Sequence, residues 1–190
     1  ADLCPRRLGG AHLVSGHGVR VLGDTDEDFL APPRRVAQAV ETSRWLKAYD
    51  PTRLVDHASG WHDQGGGDFQ SRHVYFKKLS RPRKDQRAFI VAEFGGYSLK
   101  VPGHLWDEKK KFGYRFYDTP QALTEAYLKL LREELQPLIP RGLTAAVYTE
   151  TTDVEIEING FLTYDRQVEK MDAALLRQAH EHLIRLGSQP

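Results

Sequence analysis

The stretch Ala88-Phe89-Ile90-Val91-Ala92-Glu93-Phe94-Gly95-Gly96 holds five consecutive apolar residues that end on a carboxylate and, one residue later, a glycine pair. A run this short, with no polar residue inside it, suits a strand buried on both faces, as in a parallel sheet covered by helices. The acid then stands at the C-terminal end of the strand. The glycines let the backbone turn there and approach a ligand closely.

Outward from this strand the pattern alternates. Upstream, Val36, Ala39, Val40, Ser43, Leu46 and Lys47 fall at helical spacing and stop before Asp50-Pro51, which predicts a helix. Arg53 to Ala58 and His73 to Phe76 read as short strands, separated by a loop through Gly60, Gly65, Gly66 and Gly67. Downstream, residues 95–113 read as a long loop, of the kind more often functional than idle. Thr119-Pro120 opens a helix whose stripe is Leu123, Ala126, Tyr127, Leu130, Leu131 and Leu135, closed by Pro137 and Gly142. Ala145 to Thr149 is the next buried strand, and a polar loop, 151–166, follows. Asp172 caps a last helix ending at Gly187. Strands joined through helices and long crossovers predict an α/β fold with a parallel sheet. Four such strands fit half of a (β/α)8 barrel, and equally a small doubly wound sheet. Residues 1–33 show no sustained period and are read apart from 34–190, which carry the domain.

The 190 residues suffice for one core, and a formal net charge of +1 offers no electrostatic case for nucleic acid or an anionic membrane. The run Lys109-Lys110-Lys111 stands beside Asp107 and Glu108 and reads as a solvated loop. No apolar stretch approaches the roughly 20 residues of a membrane span. Residues 1–20 hold no continuous apolar segment of the kind a signal peptide needs. A single cysteine, Cys4, excludes an internal disulfide framework and fits a cytoplasmic chain slightly better than a periplasmic one. Among the eight histidines, His180 and His182 point different ways on a helix, and His57 and His62 lack a third partner, so no metal is expected. Gly65-Gly66-Gly67 is not followed by Lys-Ser/Thr, and no serine sits in a nucleophile elbow, so no cofactor is expected.

Several side chains suit carbohydrate chemistry. Glu93 is a strand-end carboxylate; read blandly, it is half of an ion pair with a nearby arginine. His73 and Tyr75, two apart on a strand, share one face, where a phenol can hold a neighbouring carboxylate ionised and aimed. They could equally be half-buried packing residues. The stretch from Tyr148 through Asp153 and Glu155 to Gly160 is dense in groups that bind hydroxyls. Trp61 and Trp106 lie in loops after strands, where sugar rings stack.

At Val91-Ala92-Glu93-Phe94-Gly95-Gly96 the sequence resembles family 2 glycoside hydrolases, the group of β-galactosidases and β-glucuronidases. The likeness extends to Asp50-Pro51-Thr52-Arg53-Leu54-Val55, Ala58-Ser59-Gly60-Trp61, Arg72-His73-Val74-Tyr75-Phe76, Ala145 to Glu157, Asn159-Gly160 and Thr163-Tyr164-Asp165-Arg166. It covers about residues 34–180. It implies strands 5 to 8 of a (β/α)8 barrel and retaining hydrolysis of an O-glycosyl bond. In that reading Glu93 is the nucleophile and Tyr75 orients it. His73, Trp61, Trp106, Tyr148, Asp153 and Glu155 would meet the carbohydrate substrate. The family's second carboxyl follows an Asn at the end of strand 4. The only asparagine here is Asn159, so the sequence holds no Asn-Glu pair. The resemblance thus implies a piece of a longer enzyme, or an unrelated first 33 residues joined to a genuine C-terminal half. A noncatalytic carbohydrate-binding or inactive barrel fragment is the other reading. A half barrel would expose two strand edges, so self-association is expected.

Overall fold

The structure is a computed structural model that describes residues 18–20, 34–57, 60–83 and 85–188. What the sequence suggested for the rest of 1–33, for Cys4 and for Ala58-Ser59 lies outside the described residues.

The described chain is a mixed α/β fold whose strands are parallel and lie in open sheets. Strand β1 (Gly18–Arg20) is followed by helix α1 (Arg34–Tyr49), β2 (Leu54–Asp56), β3 (Phe69–Val74), β4 (Ala88–Gly95), β5 (Tyr97–Leu99) and β6 (Arg115–Tyr117). Helix α2 (Pro120–Leu130), β7 (Leu143–Thr149) and α3 (Ala173–Gly187) complete the order. The central sheet is β3-β4-β7, and β1-β2 and β5-β6 form two small pairs.

The apolar run expected to be doubly buried is the middle strand of the central sheet. Its Phe89, Val91 and Phe94 join Leu123, Tyr127, Leu130 and Leu131 in one cluster, with Leu176 of α3 at its side. Helix α2 begins where the sequence put it: Thr119 accepts the Ala122 amide at 3.1 Å and Pro120 takes the first position. The expected stop at Pro137 does not occur. A π-helical turn, Leu131–Leu135, and a 3₁₀ run, Gln136–Arg141, carry the chain past two prolines to Gly142, whose φ of 94° ends it. Proline is harmless near the start of a new helical run, where its missing N–H has no partner to lose. Helix α3 is capped by Asp172, which accepts the Leu175 amide at 3.0 Å.

Two further departures shape the site. Strand β3 begins four residues earlier than expected, at Phe69, although Gln70, Ser71 and Arg72 are polar; Gln70 Nε2 donates to the Arg83 carbonyl at 2.7 Å. The long loop after Gly95 contains the β5–β6 pair, which folds it back beside the end of β4. Arg87 fixes the loop before β3. Its guanidinium spans Asp63 (2.6 Å) and Asp85 (2.5 Å) and donates to the carbonyls of Gly66 and Phe69. No helix among the described residues is long and apolar enough to cross a membrane.

Leu123 is 0% exposed at the centre of the cluster. Leu123→Ala is expected to cost about 2–5 kcal/mol, read as a lower urea midpoint with an unchanged slope.

Candidate functional site

Strand geometry alone would point Glu93 into the apolar core. Phe89 and Val91 face α2, and the next residue of that parity is 93. The pairing with β3 shows why this does not happen: Arg72 pairs with Val91 and His73 with Glu93, so Ala92 has no partner. On the other side the register also slips between Val91 and Phe94. One extra residue reverses the alternation. Phe94 then takes the core position, and Glu93 turns to the opposite face.

That face of β3 carries His73 and Tyr75, since Val74 between them packs on the core. The Tyr75 hydroxyl donates to Glu93 Oε2 at 2.5 Å, and its oxygen lies 3.0 Å from Thr149 Oγ1 at the end of β7. His73 Nδ1 is 3.1 Å from the same carboxylate oxygen. Burial, then the adjacent carboxylate of Glu93, push the Tyr75 phenol far above its ordinary pKa, so it remains a donor at any working pH. The Glu93 side chain keeps 23% of its surface exposed, enough for a ligand to reach it.

Aromatic rings frame the carboxylate. The Trp61 ring is 5.7 Å from His73 and 5.9 Å from Tyr75, and Trp61 is 40% exposed. Gly60 allows this: a Cβ there would lie 2.1 Å from the backbone of Arg72 and His73. On its other side Tyr75 stacks on Tyr114, centroids 3.8 Å apart and planes 5° apart. Gly96 makes room for that stack. Its φ is +61°, and a Cβ would lie 2.3 Å from the Tyr114 ring.

The remaining residues expected to meet a ligand are placed elsewhere. Tyr148 is buried in the core, stacked on Phe161 at 4.5 Å, with its hydroxyl tied to the Tyr97 main chain. Asp153 is buried. Its Oδ1 accepts from Lys170 Nζ at 2.6 Å and from the Gly160 amide at 2.7 Å, and Lys170 also donates to the Ile158 carbonyl. It braces the loop from inside. Glu155 is exposed, at φ 52°, on a turn closed by reciprocal Val154–Glu157 backbone bonds. Trp106 is 62% exposed and stands edge-on to Tyr164, beside the His104–Asp165 pair at 2.8 Å. Glu93, Tyr75, His73 and Trp61 come together; Trp106, Tyr148, Asp153 and Glu155 do not join them.

Thr149, which lay within the stretch read as hydroxyl-binding, and Tyr114, which was not singled out, belong to the site. Thr149 had a signal, since it ends its strand as Glu93 ends β4. Tyr114 had none, because it arrives through the β5–β6 pairing. Among the described residues, no group of three or more His, Cys, Asp or Glu side chains is placed to hold a metal ion.

Next to Thr149, Glu150 has a buried Oε1 with no hydrogen-bond partner. Burial first, then the like charges of Glu157 and Asp153, push its carboxyl up to about 8, against a smaller opposing pull from Lys170. It therefore keeps its proton well above the pH at which an ordinary carboxyl releases it.

No protein-family model matches the chain, and no curated protein is detectably similar to it.

A carboxyl whose folded pKa is raised keeps its proton in the folded state after the unfolded chain has released it, so stability falls between pH 4.5 and about 8. Glu150→Gln, neutral at every pH, is expected to raise the melting temperature at pH 8–9 relative to the parent and to leave it nearly unchanged near pH 4. Parallel shifts at both pH values in thermal melts would show that ionisation of Glu150 is not the cause.

Proposed function

We propose that this chain carries the nucleophile side of a retaining β-glycosidase, with Glu93 as nucleophile. In this reading β2, β3, β4 and β7 are strands 5 to 8 of a (β/α)8 barrel. The observation that carries it is the hydrogen bond from Tyr75 to one oxygen of Glu93, with His73 Nδ1 3.1 Å from the same oxygen, at the C-terminal end of a buried parallel strand. Both contacts fall on Oε2, and this reading assigns the attack to Oε1. Tyr75 donates to the carboxylate and holds it in place.

The chemistry is a double displacement. Oε1 forms a bond to the anomeric carbon as the bond to the leaving oxygen breaks, giving a glycosyl ester on Glu93. Water then opens the ester and restores the carboxylate. A second carboxyl group, about 5–5.5 Å from the first in such enzymes, gives a proton to the leaving oxygen and takes one from water. Trp61 offers an exposed ring beside the carboxylate for the apolar face of a sugar.

The test is intact mass after incubation with 2-deoxy-2-fluoro glycosides that carry a dinitrophenyl leaving group, which depart with little acid assistance. One adduct per chain, mapping to Glu93 and absent in Glu93→Gln, is the expected result. Tyr75→Phe is expected to slow its formation about 10²-fold through loss of aim. A folded chain that forms no adduct would sink the reading and leave sugar binding without turnover.

We also propose that the chain associates through the edge of β7, which pairs with no further strand among the described residues and where Thr144, Ala145 and Ala146 are exposed. Sedimentation is expected to show concentration-dependent association that Ala146→Lys weakens; an unchanged monomer at all concentrations would exclude it.

A further inference from the structure

The rings beside Glu93 continue outward. Tyr75 stacks on Tyr114, and Tyr114 meets Phe76 at 5.3 Å (62°) and Phe112 at 5.4 Å (72°). Phe76 is 67% exposed and Phe112 37%. The backbone fixes the outer members: the Tyr114 amide donates to the Gly96 carbonyl at 3.3 Å, and Phe112 exchanges main-chain bonds with Ile156 (2.6 Å) and Ile158 (3.0 Å). A connected row of rings therefore leads from the carboxylate to solvent, with the main chain of Tyr114 and Phe112 braced.

We infer that the outer rings of this row, Tyr114 with Phe76 and Phe112, bind an aromatic leaving group, so that the substrate class is an aryl β-glycoside. The inference rests on the proposed function. Planar rings gain from edge and face contact with other rings. The outer rings, Phe76 and Phe112, carry no polar group to answer the hydroxyls of a second sugar. In the first displacement the bond from anomeric carbon to aryl oxygen breaks, its electron pair stays on that oxygen, and Glu93 forms the ester. The phenolate is then protonated from solvent.

The test uses the full chain and saturation-transfer NMR with 2-naphthyl and methyl β-glycosides of galactose and glucose. Naphthyl protons are expected to receive saturation well above the methyl glycosides. Phe76→Ala, at an exposed position that burdens folding little, is expected to weaken naphthyl binding between about twofold and about tenfold without weakening methyl glycoside binding. Glu93→Gln is expected to keep naphthyl binding. Equal binding of naphthyl and methyl glycosides, or no effect of Phe76→Ala, overturns the inference. Self-association abolished by Phe76→Ala, in a chain that binds no naphthyl glycoside, also overturns it and makes the row a contact between copies. Naphthyl binding in a chain that forms no Glu93 adduct supports the ring site while removing the hydrolytic reading.

Discussion

The unpaired Ala92 in β4 decides which side of the sheet becomes chemical. A strand buried on both faces has no natural place for a carboxylate, and regular alternation would have put Glu93 among leucines, where an ion is costly to bury. The extra residue exchanges the two outcomes. Phe94 enters the core beside Leu123 and Tyr127, and Glu93 meets Tyr75 and His73. The same slip places Gly95 and Gly96 where the chain must bend, so that Gly95 pairs with Thr149 and Gly96 admits the Tyr114 ring. The half-exposed carboxylate, the phenol that donates to it and the aromatic frame all follow from one displaced register.

Around that point the structure spends its polar residues on fixing loops. Arg87 gathers the approach to β3 through two carboxylates and two carbonyls. Lys170 does the same for the loop after β7, joining Asp153 to the Ile158 carbonyl with no exposure to solvent. Burial works against both charges of that pair, and the 2.6 Å contact with its extra hydrogen bonds offsets it only in part. Polar density near a site here marks architecture as much as recognition.

This explains what could be read from the sequence. The β4 strand was legible because five apolar residues between turns are too few for a helix and suit a doubly buried strand. The shared face of His73 and Tyr75 was legible because it needs only the period of two. The helix starts at Thr119 and Asp172 were legible because caps are local. The start of β3 was hidden because Gln70 and Ser71 find their place through long-range burial. The passage through Pro137 was hidden because a change of helix type is set by tertiary packing. Tyr114 was hidden because its position depends on two three-residue strands that no periodicity can announce. Asp153 and Tyr148 show the converse: residue types suited to a sugar, taken up by Lys170 and Tyr97.

The loop after β7 has a root and a tip of very different character. At the root Asp153, Ile158, Asn159, Gly160 and Thr163 are buried and cross-linked, and a Cβ on Gly160 would strike the main chain of Thr152 and Asp153. At the tip Val154, Glu155 and Ile156 face solvent around a left-handed residue. The turn is closed by its own backbone bonds, so the side chains at its crest bear little of the load. The crest can therefore drift in sequence, or carry a fluorophore or spin label, while the root beneath it stays fixed. It is a natural vantage point for watching the loop without disturbing what it encloses.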